Sequence, residues 1–105
     1  MTHKELENAK EAQRKAGASW KEGAELRCID MMHSILIYDY VPEQEEMPYP
    51  ESDRFLKDYT KEIGMERAKQ LWEEQVADFR KAKVSRDVWT DSEGCTYNSC
   101  KWADE

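Results

Sequence analysis

The stretch MERAKQLWEEQVADFRKA, residues 65–82, sets the fold. Met65, Ala68, Trp72, Val76 and Phe79 recur at intervals of 3, 4, 4 and 3, and Leu71 lies beside them. That is the period of a helix with one apolar stripe, and alternation of period two is absent. Burying Leu71, Val76 and Phe79 would contribute roughly 1.5–3 kcal/mol each. Glu66, Glu73 and Glu74 fall on the opposite, solvated face. Gly64, just upstream, stands where a left-handed residue ends a preceding helix.

Upstream of Gly64, Ser52 or Asp53 can cap a further helix whose apolar face is Phe55, Leu56, Tyr59 and Ile63. Residues 42–52 hold three prolines and four glutamates and read as a long loop. Pro42 stops whatever precedes it, because the residue before a proline is pushed out of α geometry.

Before the loop, Trp20, Ala24, Met31, Ile35 and Tyr38 fall near one helical face, widened by Cys28, Met32 and Leu36. A helix apolar over so much of its girth is normally central. Residues 35–41 also admit a strand, but Met31 and Met32 continue the helical stripe with no turn signal between. At the N-terminus, Thr2 and Glu5 have capping-box spacing, so a helix runs from His3 to about Ala16. Its apolar positions are sparse (Leu6, Ala9, Ala12, Ala16). Residues 1–17 therefore read as a loosely attached helical arm.

After residue 82 the period changes. Val84, Val88 and Trp89 suit a strand, and Asp91-Ser92-Glu93-Gly94 suits a hairpin loop with Gly at the αL position. Trp89 then lies opposite Tyr97. Val84, Val88, Cys100 and Trp102 share the other face, expected to pack on the helix of residues 65–82. The fold expected is α+β: a single domain over 1–105, three to four helices, and a C-terminal antiparallel β-hairpin with an acidic tail over 83–105. Trp72, Phe79, Val88 and Trp102 belong in or near its core.

Composition narrows function. At 105 residues the chain suits one domain, burying roughly two thirds of its unfolded surface. It is 39% hydrophobic and 37% charged, with 23 acids, 16 Lys and Arg, and a net charge of −7. Sequence-independent binding to nucleic-acid phosphates needs clustered bases, so direct contact with nucleic acid is not expected. An odd count of three Cys and a polar start (Met1-Thr2-His3) suggest free thiols and a cytoplasmic protein. No run is apolar and long enough for a membrane span.

Cys95 and Cys100 are spaced C-x4-C, and the hairpin pairing puts them on opposite faces, so neither a zinc site nor a disulfide is expected. Asp30 and His33 share a helical face and could form a hydrogen-bonded pair suited to base chemistry; a satisfied histidine at the edge of a buried helix is the preferred reading. The four glycines are isolated, so no phosphate loop exists. No catalytic residues, metal or cofactor are assigned.

Two surface groups remain. Glu43, Glu45, Glu46, Glu51 and Asp53 give five acids with no base between them, a set that could imitate phosphates toward a basic protein groove. Arg80, Lys83, Arg86, Trp89 and Tyr97 form the candidate anion site, combining cations with aromatics that could stack a base. The surplus of aromatics and the poorly amphipathic first helix predict a protein partner or a homo-oligomer. The expected function is a non-enzymatic acidic protein-binding module, of the kind found among phage and mobile-element inhibitors of nucleic-acid-handling or defence machinery. The alternative is a small helical module binding a nucleotide or other anionic small molecule.

Overall fold

The computed structural model describes residues 1–17, 23–39, 49–82 and 85–101, with 85–89 and 97–101 described as backbone. In chain order these hold α1 (His3–Lys15), α2 (Ala24–Asp39), a π-helical turn (Phe55–Tyr59), α3 (Met65–Ala82) and strands β1 (Ser85–Thr90) and β2 (Thr96–Lys101).

Helix α1 starts at Thr2, whose extended backbone (φ −71°, ψ 165°) lets its side chain accept from the Glu5 N–H at 3.2 Å. That satisfies one of the amides a helix start leaves without a partner. Gly17, at φ +72°, follows its end. The expected loose arm is corrected here, because Leu6 is 0% exposed and belongs to the central core. A sparse apolar face suffices because polar bridges supplement it. Lys10 Nζ reaches Asp30 Oδ1 on α2 at 3.2 Å.

Helix α2 is continuous through residues 35–39, so the strand alternative there fails. Cys28, Met32 and Leu36, spaced by four, are fully buried, and Ile29 is largely buried beside them. The buried stripe is rotated from the expected one: Tyr38 is 65% exposed, and Met31 and Ile35 are only half-buried. The expected helix spanning Phe55 to Ile63 is instead a single π-turn. Ser52 Oγ accepts from the Phe55 N–H at 3.2 Å. The wider turn stacks Phe55 on Tyr59, with ring centroids 6.0 Å apart. The Thr60 hydroxyl donates to the Leu56 carbonyl at 2.6 Å, competing with the ladder and helping to end it. Gly64, at φ +85°, donates its N–H to the Thr60 carbonyl and leads into α3.

Helix α3 buries Ala68, Leu71, Trp72, Gln75, Val76 and Phe79. Met65, placed on this stripe by spacing, is 42% exposed because it sits at the helix start.

The α+β class is overturned. Among residues described to the side chain, 73% are helical, and the fold is helical. Every residue described as buried lies in α1, α2, the π-turn, the adjoining Thr60, or α3. The C-terminal strands are not a sheet layer. Their backbones pair antiparallel as a two-stranded ribbon, with Trp89 opposite Tyr97 and Thr90 opposite Thr96. The ribbon's position also differs from expectation: β2 packs along α2 rather than forming a face on the helix of residues 65–82. The reason lies in α2, which is apolar over enough of its girth to need cover on several sides. A two-stranded ribbon is marginal alone in water and depends on such support. In the connecting turn, Asp91 Oδ1 accepts from the Glu93 and Cys95 N–H groups at 2.9 and 3.0 Å, and Gly94 takes φ +85°. Val84 and Trp102 lie outside the described residues, and Val88 and Cys100 are placed by backbone alone.

Candidate functional site

Where α1, α2 and α3 meet, the core turns polar. His33 on α2 is 1% exposed and Gln75 on α3 is 0% exposed. His33 Nε2 lies 2.8 Å from Gln75 Oε1. Its other nitrogen, Nδ1, lies 3.2 Å from His3 Nδ1 on α1, with ring centroids 5.5 Å apart. His3 Nε2 in turn faces Glu7 Oε1 at 3.7 Å. The Met1 ammonium pairs with Asp78 on α3, and the Met1 backbone hydrogen-bonds the His33 ring.

Burial pushes the His33 imidazole below its ordinary value. The hydrogen bonds with Gln75 and the Met1 backbone oppose that shift, and the electrostatic influence of nearby His3 and the Met1 ammonium adds to it. A neutral His33 has one N–H and one lone pair to share among Gln75, His3 and the Met1 backbone. The Gln75 Nε2 group is buried and makes no hydrogen bond among the described residues.

The possible Asp30–His33 pair is not formed, because Asp30 binds Lys10 instead. The described partners of His33 are the Gln75 amide, the His3 imidazole and the Met1 backbone, which hold it in place between helices. Cys28 is buried, and burial, with the charge of Glu25, pushes its thiol up to about 11. That makes it a poor nucleophile at neutral pH. Tyr49, edge-on to Phe55, is pushed up to about 12, chiefly by burial. Among the described residues, no group of three or more His, Cys, Asp or Glu is placed to hold a metal ion. No described helix is long and apolar enough to cross a membrane.

Of the acidic set, Glu51 and Asp53 are exposed just before the π-turn; Glu43, Glu45 and Glu46 lie outside the described residues. Of the anion set, Arg80 is exposed near the end of α3. Lys83 lies outside the described residues. Arg86, Trp89 and Tyr97 are placed by backbone only, on paired strands with Trp89 opposite Tyr97. Sequence reasoning missed the meeting of His3, His33 and Gln75. One signal was present: Gln75 continues the 68, 72, 79 stripe of α3, and a polar residue on a buried stripe needs a partner.

No family model matches the chain, and no curated protein or solved structure matches it.

Proposed function

We propose that this chain is a non-enzymatic acidic protein-binding module that docks on a basic protein surface of the kind used to hold nucleic acid, and inhibits the machinery that carries it. The observation behind this reading is the run of five carboxylates from Glu43 to Asp53 with no base among them. Its described members, Glu51 and Asp53, are exposed and take no ion pair among the described residues. Glu66, Glu73 and Glu74 are also exposed, on α3, whereas Asp58 in the next turn is paired with Arg54. Unpaired surface carboxylates pay little desolvation until a cationic partner arrives. They speed and orient encounter with a surface of opposite sign. A net charge of −7 adds long-range attraction, which salt would screen over about 10 Å.

The test is affinity capture from the native host, followed by a quantified titration. One stoichiometric protein with a basic binding face is expected. Its affinity should fall as salt rises. The combined variant Glu43→Gln, Glu45→Gln, Glu46→Gln should weaken it at least tenfold, about 1.4 kcal/mol. Equal affinity of the neutralised variant, or indifference to salt, refutes the reading.

A second reading rests on the register that sets Trp89 opposite Tyr97, with Arg80 exposed nearby in sequence. In it, Arg80, Lys83, Arg86, Trp89 and Tyr97 hold a nucleotide or similar anion. A nucleotide-dependent rise in melting temperature that Arg86→Ala abolishes would favour it over the first.

A further inference from the structure

We infer that the His3–His33 contact is a pH-sensitive latch that holds α1 on the α2–α3 pair and releases it when both rings are protonated. The geometry carries the argument. Two Nδ1 atoms 3.2 Å apart can share one proton, one ring donating and the other accepting. His33 is 1% exposed, and its remaining nitrogen is already engaged at 2.8 Å by Gln75. It cannot turn a charged edge to water without the helices separating. With both imidazoles charged, N–H faces N–H and cation faces cation inside the core. Water would stabilise those charges, so the open state is favoured.

Among the described residues the surroundings relieve this clash only in part: Gln75 and the Met1 backbone hydrogen-bond the His33 ring, yet burial still holds it below its ordinary value. On α1, Glu7 faces His3 from its far nitrogen at 3.7 Å, and Lys10 is committed to Glu7 and Asp30. On α2, Asp30 is that lysine's partner. On α3, Gln75 is neutral and Asp78 pairs with the Met1 ammonium, itself a further positive charge. The π-turn exposes its Lys57 and Asp58. Strand β2, which packs along α2, carries Tyr97, Cys100 and Lys101.

The sign follows from linkage. Burial lowers the folded-state value of His33 below the ordinary 6.5. The closed state is therefore fully favoured above 6.5. That advantage shrinks as pH falls below 6.5 toward the lowered value, because the open state binds the extra proton more readily. One proton changes an opening constant by at most about tenfold per pH unit.

The experiment is native-state hydrogen exchange of the full chain between pH 7.5 and 5, corrected for intrinsic exchange. Amides of α1 should lose protection by up to tenfold per pH unit below about 6.5, while those of Leu71–Phe79 in α3 keep theirs. In His3→Phe, which removes the second proton site but leaves His33 buried, the selective loss in α1 should be shallower than in the wild type. In His33→Leu, which removes the buried ring itself, it should disappear. The inference is overturned if wild-type α1 protection is flat across this range, if α1 and α3 lose protection together, if His3→Phe loses protection as steeply as the wild type, or if selective loss persists in His33→Leu.

Discussion

Leu6→Ala is the decisive perturbation for how the N-terminal helix is held. Leu6 is the one buried residue of α1, and its side chain is 0% exposed within the core that also holds Met32 and Leu36. Truncation removes the transfer free energy of the lost methyl and methylene groups and leaves a cavity at a helix junction. Buried Leu→Ala changes cost about 2–5 kcal/mol, so about 3 kcal/mol is expected here. The whole domain is stabilised by roughly 5–15 kcal/mol, so this is a large fraction. Urea unfolding followed by far-ultraviolet circular dichroism should show a lower midpoint at unchanged slope. The melting temperature should fall by about 10–25 °C. Asn8→Ala, at an exposed position of the same helix, should change stability by less than about 0.5 kcal/mol. If Leu6→Ala also stays within about 0.5 kcal/mol, α1 is not docked through Leu6 and the packing reasoned here is wrong.

Two further tests address other parts of the fold. In a Cys100→Ser background, Cys95 should react with a thiol reagent at once at pH 8, while Cys28 reacts only on unfolding. A thiol held at about 11 is roughly one part in a thousand thiolate at that pH; two equally fast thiols in the folded protein would contradict its burial. Gly64→Ala should cost about 1 kcal/mol in urea unfolding, since φ +85° is unfavourable for a side chain although open space surrounds it. A neutral or stabilising result would mean the turn before α3 is built differently.

Much of the helical architecture was legible in the residues. The intervals through Met65, Ala68, Trp72, Val76 and Phe79 mark α3 because one face is buried and the other is charged. Thr2 announces its helix through local hydrogen bonding alone. Features decided by tertiary partners were not legible. The orientation of α2 depends on which of its many apolar sides each neighbour takes, so Cys28 is sealed while Tyr38 faces out. The π-turn at Phe55–Tyr59 follows from ring stacking and a side-chain hydroxyl that compete with the α ladder. The expected α+β class failed because the residues described to the side chain are 73% helical. At the candidate sites, the exposure of Glu51, Asp53 and Arg80 follows from their charge. The meeting of His3 and His33 joins residues 30 apart across two helices, and no local pattern encodes it.

The central place of α2 has a consequence for how the molecule comes apart. Helix α1, the π-turn, α3 and β2 each pack on α2. Such a hub ties the fates of its neighbours together, so global loss of α2 deprives all four of support at once. Proteolytic fragments lacking residues 24–39 should not persist as folded pieces. A growing chain likewise gains lasting structure only once α3 has emerged to meet the hub.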